Sequence, residues 1–278
     1  ARYPSLLRPR SYTEKIQWRK LFDLEPMHAI FSDKLAARDF IASRIGSDLL
    51  MQILWTGDNP DMIPFETLRA PYIIKSTHGS NQYLRVSDET ALDGDAVTAK
   101  CPEWLMHPYG LSVGESGYEF VPRRIVIERM LLSSDGSPLT ELRAFVFDGK
   151  VQVVQTIFVR EGKVVSGAFH DRDWKRLRWV LHSPLHPGDF PRPACLDELI
   201  GLAERVARGF DHLRVDFFDG EDGLRIGEIT LYSWSGLIPF KPPEADLALG
   251  SHWHIPSPAW RAIQALCLRR REIRPPPW

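Results

Sequence analysis

The sequence contains few cysteines, and none of them forms a closely spaced pair. Its 278 residues include three, Cys101, Cys195 and Cys267, with no C-x-x-C motif. Disulfide frameworks of secreted folds and zinc sites both need paired or closely spaced cysteines. We therefore expect neither of these features, and we expect the protein to reside in a reducing compartment.

An excess of charge of one sign is also absent. Lys and Arg number 35 and Asp and Glu number 36, which gives a formal net charge of -1. General binding to nucleic acids or to anionic membranes usually requires a strongly basic surface. The balanced charge therefore predicts no nucleic-acid partner, and any anionic ligand must be held by a local group of cations.

Long apolar runs and glycine-rich nucleotide fingerprints are missing as well. Residues 1–10 lack the apolar stretch of a signal peptide, and no run reaches the length of a transmembrane helix. We therefore expect a cytoplasmic protein without a transmembrane segment. Neither G-x-x-x-x-G-K-[ST] nor G-x-G-x-x-G occurs, which excludes a P-loop and a Rossmann fingerprint.

The sequence does have enough apolar material for a large core. Hydrophobic residues make up 44% of the chain, a content typical of folded globular domains. Residues 1–70 follow a mainly helical pattern, and their clearest helix is expected to run from Ser32, as N-cap, to Ile45, with Gly46 ending it. A second, amphipathic helix is predicted over residues 196–207.

Short strands with two-residue alternation follow residue 70. An Asp148-Gly149 pair between two of them predicts a hairpin. Strands that pair through hairpins, with helices between them, are typical of α+β folds rather than of a doubly wound parallel sheet. The expected strands are Tyr72–Lys75, Tyr83–Val86, Arg124–Glu128, Leu142–Phe147 and Val151–Phe158.

The most informative segment is a second predicted hairpin, formed by residues 213–218 and 224–230 around the connector 219–223. Because side chains alternate between the faces of a strand, its polar side chains would share one surface. They are Arg214, Asp216, Glu228 and Thr230. Oxygen ligands of this kind suit Mg²⁺, which usually keeps waters and substrate phosphates as its other ligands. The alternative is the solvated face of an ordinary hairpin.

A second group of residues suits phosphate binding. Lys75 ends a predicted strand and is followed by residues 76–82, a loop of small polar side chains around Gly79. Lysine supplies a positive charge, and a loop of small residues lets backbone N–H groups approach anionic oxygens. The loop therefore predicts a phosphate site. The alternative is a surface lysine followed by an ordinary turn glycine.

Six motifs, in their order along the chain, resemble those of the ATP-grasp superfamily. They are Asp33-Lys34, Ile73-Ile74-Lys75 with the loop to Ser80, Ile125–Glu128, Glu141-Leu142-Arg143, Arg214-Val215-Asp216 and Gly227–Thr230. The sequence is more similar still to the TupA-like branch, the ATP-grasp amidoligases of cell-surface polysaccharide synthesis. The motifs shared with that branch include Thr13–Ile16, His78-Gly79-Ser80 and Ser235-Gly236.

The resemblance implies an α+β ATP-grasp fold, in which two α+β subdomains hold ATP between them. Residues 1–70 would be a short helical N-terminal region, 71–131 the lid subdomain, and 132–278 the C-terminal subdomain with the metal site. Because about 70 residues without a βαβ pattern are too few for a substrate domain of the usual size, the position of the acceptor is left open.

The resemblance also implies which residues bind ATP. Lys34 and Lys75 would contact its phosphates, and the loop after Lys75 would fold over them. A hinge strand would meet adenine, and an acidic residue would lie near the ribose. The residues implied are His78, Gly79 and Ser80 in the loop, Glu128, Arg129, Met130 and Leu131 at adenine, and Glu141 at the ribose.

The same resemblance implies a catalytic and metal site on the predicted hairpin. Asp216 and Glu228 would bind Mg²⁺, Arg143 would face the phosphates, and Arg214 would stabilise an acyl phosphate and the tetrahedral intermediate. Most ATP-grasp enzymes carry Asn two residues after the second carboxylate, whereas this chain has Thr230. The hydroxyl is also a hard oxygen ligand, and the TupA-like branch shares it.

The expected function is an ATP- and Mg²⁺-dependent carboxylate–amine ligase. Its carboxylate substrate, a sugar acid or an amino acid of a cell-surface polymer, would become an acyl phosphate that an amine attacks. One alternative is a kinase of sugar or small-molecule hydroxyls, and another is a catalytically silent nucleotide-binding protein. A third is a glycosyltransferase, because a D-x-D pattern occurs at Asp171 and Asp173.

Overall fold

The computed structural model of the protein describes residues 5–23, 25–88, 94–132, 140–160, 163–220 and 223–255. Within these ranges the chain forms two sheets with helices packed on them. The predicted α+β class is therefore confirmed. Residues 256–278 of the predicted C-terminal subdomain, with Cys267, and residues 221–222 of the predicted connector lie outside the described residues.

The smaller sheet is built from four short strands. In chain order they are β1 (Ile53–Gly57), β2 (Tyr72–Ser76), β3 (Tyr83–Val86) and β4 (Ile125–Arg129). Their order across the sheet is β1-β4-β2-β3, and neighbouring strands are antiparallel. Ile74, Ile125 and Ile127 are fully buried in one apolar cluster with Cys101 of helix α4 (Gly94–Met106). Helix α5 (Tyr109–Val113) follows α4.

The larger sheet has six strands. In chain order they are β5 (Thr140–Phe147), β6 (Lys150–Arg160), β7 (Lys163–Asp171), β8 (Arg176–Leu177), β9 (His212–Gly220) and β10 (Gly223–Thr230). Across the sheet the order is β10-β9-β5-β6-β7-β8, again antiparallel. Asp148 and Gly149 have φ values of 48° and 74°, as a tight hairpin turn requires. Both predicted hairpins are therefore present.

Helix α6 (Leu196–Val206) follows the predicted amphipathic pattern. Leu199, Ile200, Ala203 and Val206 are all buried, and the helix packs against β5, β6 and β9. Its apolar stripe and the alternating apolar residues of these strands form one continuous core.

Helix α1 (Tyr12–Phe22) ties the N-terminal region to helix α7 (Pro243–Ser251). The Thr13 N–H donates to a carboxylate oxygen of Asp246 at 2.9 Å. The Lys15 ammonium group donates to the Gly250 carbonyl at 2.8 Å, and Tyr12 packs edge-on against Phe145 of β5. The Thr13–Ile16 motif thus binds α1 to α7, and Tyr12 packs α1 against the larger sheet.

Helices α2 (Met27–Ser32) and α3 (Lys34–Ile45) correct one boundary of the prediction. Asp33, not Ser32, caps α3, and its carboxylate accepts the Leu35 N–H at 2.9 Å. Ser32 is the last residue of α2, so its backbone is already helical and cannot serve as an N-cap. The predicted end of α3 at Gly46 is confirmed, with φ of 90° at this glycine.

The predicted helical character of residues 1–70 is wrong at residues 53–57, which form β1. This strand is only half-buried at the edge of the smaller sheet, so it lacks the alternation of buried and exposed side chains by which a strand is identified. Among the described residues, no helix combines the length and apolar character needed to cross a membrane.

Candidate active site between the two sheets

The candidate site begins on three adjacent strands of the larger sheet. Glu228 of β10 lies opposite Asp216 of β9, which in turn lies opposite Arg143 of β5. Opposed residues of antiparallel strands direct their side chains to the same face. A bulge at Gly227 sets this register. A Cβ at that position would lie 2.5 Å from the Phe218 ring, so only glycine fits.

Arg214 is the central side chain of this surface. Its Nε and Nη2 atoms donate to the two carboxylate oxygens of Asp216 at 2.7 and 2.6 Å. The guanidinium group also donates to the Thr230 hydroxyl at 3.0 Å and the Ser233 hydroxyl at 3.2 Å. Its Nη2 atom is 3.6 Å from Glu228. The structure therefore brings together all four polar side chains of the predicted hairpin surface.

The two carboxylates of this surface differ in accessibility and charge. Asp216 is 1% exposed, and burial raises its pKa to about 6, although Arg214 acts in the opposite direction. The Glu228 side chain is 48% exposed. Partial removal from water raises the pKa of Glu228, but Lys34, Arg214 and other cations outweigh this effect and lower it below its ordinary value. Glu228 is thus the accessible, ionised carboxylate of the pair.

Arg143 extends the site along β5. Its Nε and Nη2 atoms donate to the two carboxylate oxygens of Glu141, both at 2.9 Å. Its Nε lies 3.9 Å from Asp216, and its Cζ lies 5.5 Å from the centre of the Trp234 ring. Two residues predicted for different roles, Glu141 at the ribose and Arg143 at the phosphates, therefore form one ion pair.

Lys34 contributes a positive charge from the other side of the site. It is the first residue of α3, its N–H donates to the Thr77 carbonyl at 3.1 Å, and its ammonium group donates to the Gly79 carbonyl. Burial lowers the pKa of Lys34, while the negative charge of Glu228 partly offsets this. The lysine therefore binds the loop after β2 and adds positive charge near the carboxylate of β10.

Lys75 is held by an ion pair within the smaller sheet. Its Nζ lies 2.7 Å from Glu128 of β4, which also binds the Arg38 guanidinium at 2.9 Å. Arg38 additionally donates to the Met51 carbonyl. Glu128 is buried between these two cations. The Glu128 carboxylate therefore orients the Lys75 side chain.

The loop after β2 is anchored at one end and open at the other. His78 is buried, and its Nε2 lies 2.8 Å from the Trp104 carbonyl of α4. A Cβ on Gly79 would lie 2.3 Å from the end of the Gln82 side chain, so a larger residue at this position would displace that side chain. Ser80 is exposed and hydrogen-bonds to the Tyr109 side chain. Of the three predicted loop residues, His78 serves as an anchor and Ser80 faces outward.

The segment predicted to meet adenine follows β4. The N–H of Arg129, its last residue, donates to the Gln52 carbonyl at 2.9 Å, and the Met130 N–H donates to the Pro71 carbonyl at 3.1 Å. Leu131 is half-buried. Because both N–H groups are already bonded, Met130 has only its carbonyl and its side chain to offer a base.

These residues fit a Mg²⁺–nucleotide complex. The Glu228 and Thr230 oxygens lie 3.3 Å apart on an accessible surface, and Lys34 and Lys75 supply positive charge opposite them. Among the described residues, no group of three or more His, Cys, Asp or Glu side chains could hold a metal. Mg²⁺ needs no such group, because phosphates and waters complete its octahedron. Asp216 would join Glu228 as a ligand by exchanging its pairing with Arg214.

Two further residues of this surface were not predicted. Arg38, which orients Glu128, lies four residues after Lys34 on the same face of α3. The spacing of four residues between Lys34 and Arg38 could have predicted that both cations lie on the same face of this helix. Ser233, which binds Arg214, lies in a short turn after β10. No periodicity marks such a position.

The D-x-D pattern has a local structural role. One carboxylate oxygen of Asp171 accepts the N–H groups of Asp173 at 3.0 Å and Lys175 at 2.8 Å. The Asp171 carboxylate therefore stabilises its own turn, and this role explains its position without a metal ion. The glycosyltransferase alternative therefore loses the feature that suggested it.

The fold and the site together define the class of the protein, because two α+β units face each other across a cluster of cations and carboxylates. The family model described as TupA-like ATPgrasp matches residues 14–254. The chain therefore belongs to the TupA-like ATP-grasp family and has the ATP-grasp fold. No curated protein sequence matches this chain.

Solved structures also show similarity to the chain. The D-alanine–D-alanine ligase from Bacillus anthracis is 17% identical, with a TM-score of 0.46 over 87% of this chain and 70% of that one. The N5-carboxyaminoimidazole synthetase from Staphylococcus aureus is 13% identical, with a TM-score of 0.42 over 82% and 53% of the two chains. The ATP-grasp ligase PsnB with a minimal precursor is 14% identical, with a TM-score of 0.41 over 76% and 55%. The chain thus spans little more than half the length of two of these three proteins.

Proposed function

We propose that the protein is an ATP- and Mg²⁺-dependent carboxylate–amine ligase. The observation that carries this proposal is the convergence of four cations on one accessible carboxylate. Arg214 lies 3.6 Å from Glu228, and Arg143 lies 3.9 Å from Asp216 on the neighbouring strand. Lys34 of α3 and Lys75 of the smaller sheet also act to lower the pKa of Glu228. Such a cluster suits phosphoryl transfer between anionic oxygens, where neutralisation of charge is the main catalytic requirement.

The first step of the proposed reaction activates the carboxylate substrate. One carboxylate oxygen forms a bond to the γ-phosphorus of ATP while the bond to the bridging oxygen breaks, and ADP leaves. Lys34 and Lys75 would hold the phosphates. Mg²⁺, when bound by Glu228, Asp216 and Thr230, neutralises charge on the phosphate oxygens. Arg214 has forked donors that match a planar carboxylate, and its contacts to Ser233 and Thr230 keep the fork oriented.

The second step forms the amide. The amine nitrogen bonds to the acyl carbon, the C–O bond to phosphate breaks, and the amine releases a proton to solvent. Arg214, supported by Arg143, would stabilise the negative charge on the carbonyl oxygen in the tetrahedral intermediate. This chemistry needs no nucleophilic side chain, which agrees with a site made of cations and carboxylates.

The proposals for the substrate class and the cellular compartment are based on the family and on the composition. Membership of the TupA-like family supports a carboxylate substrate from cell-surface polysaccharide synthesis, either a sugar acid or an amino acid. The balanced charge supports small-molecule substrates rather than nucleic acid. The small number of cysteines supports action in the cytoplasm.

Hydroxylamine trapping tests the proposal. The protein is incubated with Mg²⁺, ATP, hydroxylamine and a panel of uronic acids and amino acids, and hydroxamate and ADP are measured. We expect equal amounts of hydroxamate and ADP with the correct acid, because hydroxylamine intercepts an acyl phosphate. A stable phosphorylated alcohol with no hydroxamate would instead assign the protein to the kinase alternative.

A further inference from the structure

A short turn after β10 contacts both arginines of the candidate site. The Ser233 hydroxyl accepts a hydrogen bond from Nη1 of Arg214 at 3.2 Å. The next residue, Trp234, places the centre of its ring 5.5 Å from the Arg143 guanidinium carbon, which is within the range of a cation–π contact. Because these two contacts come from adjacent residues, a displacement of the turn would move the supports of both guanidinium groups together.

The backbone of this turn is left-handed over three residues in succession. Trp234, Ser235 and Gly236 have φ values of 52°, 55° and 62°. Residues other than glycine rarely adopt this conformation, and they usually do so singly. Such a backbone persists only where the surrounding structure holds it, and it is concentrated at functional sites. The contacts that hold this turn therefore matter for the position of its side chains.

Helix α1 supplies those contacts. Nε2 of Gln17 donates to the carbonyls of Ser235 at 2.8 Å and Gly236 at 3.0 Å. The Lys20 ammonium group also donates to the Ser235 carbonyl, at 3.1 Å. A Cβ on Gly236 would lie 2.8 Å from the Cβ of Ile16, so the turn packs its backbone directly on the helix. Gln17 is thus the side chain that binds two successive carbonyls of the left-handed segment.

We propose that Gln17 is a positioning residue for the ligase reaction, because it holds from α1 the turn that supports Arg214 and Arg143. This inference rests on the proposed function, in which Arg214 binds the carboxylate and, with Arg143, stabilises the tetrahedral intermediate. Gln17 acts through the backbone of the turn. Its loss should therefore slow the chemical steps, which depend on the placement of the arginines, and leave nucleotide binding unchanged.

Gln17→Met tests the proposal, because methionine has a similar shape and cannot donate a hydrogen bond. Lys15→Met is the matched control. Lys15 lies on the same helix and also donates to two backbone carbonyls, but these belong to Gly250 and Trp253 at the end of α7. Each variant removes two hydrogen bonds between α1 and another segment, and only Gln17→Met removes them from the turn.

Hydroxamate formation provides the kinetic readout, with the acid that the trapping experiment selects. In Gln17→Met we expect kcat to fall by about 10-fold or more, since small displacements of positioned groups have effects of this size, with the KM for ATP unchanged. We expect Lys15→Met to keep the wild-type kcat. The same kcat in both variants would overturn the inference, because the bonds to the turn would then have no effect of their own.

Near-UV circular dichroism of the ligand-free proteins follows the turn without any substrate. The chain has nine tryptophans, so the signal of Trp234 is taken as the difference between a protein and its Trp234→Phe variant. We expect this difference to become markedly smaller when Gln17→Met is also present, and to stay unchanged when Lys15→Met is present. An unchanged Trp234 signal in the Gln17→Met background would overturn the inference.

Two substitutions of Trp234 test the turn directly, even if Gln17→Met does not fold. Leucine and phenylalanine are equally disfavoured at this φ, but only phenylalanine keeps an aromatic face for Arg143. We expect kcat of Trp234→Leu to be about 10-fold lower than that of Trp234→Phe. Equal values would overturn the inference. A wild type that forms no hydroxamate from any acid, with a Trp234 signal that still depends on Gln17, would instead contradict the proposed function.

Discussion

The two sides of the candidate site hold their residues in different ways. On the larger sheet, strand register and mutual bonding fix the side chains, as in the two contacts of 2.7 and 2.6 Å between Arg214 and Asp216. On the other side, Lys34 and Lys75 are flexible side chains that bind the Gly79 carbonyl and the Glu128 carboxylate.

Under the proposed function, this contrast predicts different tasks for the two sides. Residues fixed on strands suit the positioning of reacting atoms, whereas flexible lysines can exchange a protein partner for a phosphate. Changes on the larger sheet should therefore reduce turnover, and changes on the smaller sheet should weaken nucleotide binding. The predictions below test this division, with the acid that the trapping experiment selects and hydroxylamine as the amine.

Removal of charge from the carboxylates should have the largest effect on turnover. Asp216→Asn or Glu228→Gln would remove a carboxylate charge that would hold Mg²⁺, so that negative charge on the phosphoryl group would be less well neutralised. We expect kcat for ADP release to fall by at least about 100-fold in each variant, with the fold retained. The exposed Asp173→Asn is the control and should leave kcat unchanged. Near-native turnover of either variant with Mg²⁺ present would show that these carboxylates do not hold the metal.

Replacement of the Arg214 guanidinium group should have the next largest effect on turnover. Lysine keeps the positive charge in Arg214→Lys but cannot bind two carboxylate oxygens at once. We expect hydroxamate formation to fall by roughly 10- to 100-fold, while calorimetry shows unchanged affinity for Mg²⁺–ADP. Arg205→Lys on the exposed side of α6 provides the control. Equal losses of nucleotide affinity and turnover would contradict the proposed division between the two sides.

Loss of Lys75 should act mainly on nucleotide binding. We expect Lys75→Ala to raise the KM for ATP by about 10-fold, because a charge-assisted contact to phosphate is removed, with a smaller change in kcat. The exposed Lys100→Ala on α4 should have no effect. An unchanged KM would place the lysine away from the phosphates.

Glu115 should change the pH dependence of stability rather than activity. Burial raises its pKa to about 7, although the Ser235 hydroxyl and Lys20 act in the opposite direction. Between the ordinary Glu pKa of 4.5 and pH 7, the folded state binds the proton more tightly than the unfolded state. The free energy of unfolding therefore falls as the pH rises through this window.

A glutamine at position 115 lacks this titration. Relative to wild type, we expect the melting temperature of Glu115→Gln to rise by about 3–5 °C between pH 5 and pH 8. The exposed Glu119→Gln should follow wild type at every pH. Parallel melting curves for Glu115→Gln and wild type would show that Glu115 ionises normally in the folded protein.

Segments governed by local periodicity were predictable from the sequence. The hairpin of β9 and β10 alternates in side-chain character, and α6 carries a strong apolar stripe, so both could be located without tertiary information. The common surface of Arg214, Asp216 and Glu228 followed from the same alternation. The bulge at Gly227 does not disrupt this surface. It shifts the strand register by one residue and places Glu228 opposite Asp216.

Features set by contacts between distant segments were not predictable. Strand β1 has no clear alternation because it is a half-buried edge strand paired with β4, more than 60 residues away. The partner of Glu128 on α3, Arg38, is 90 residues distant. The position of Gln155 beside Arg143 depends on the register of β5 and β6. Strand β6 contains several polar residues, including Gln152, Gln155 and Thr156, so its sequence pattern does not distinguish Gln155 from the others.

Isotope transfer tests the acyl-phosphate mechanism most directly. If the carboxylate substrate is labelled with ¹⁸O in both oxygens, one of them forms the bond to phosphorus and leaves with the phosphate when the amine attacks. We therefore expect one ¹⁸O in each released phosphate and one in the amide, measured by mass spectrometry during complete turnover. Unlabelled phosphate, or phosphate retained on a hydroxyl group of the product, would contradict the ligase mechanism.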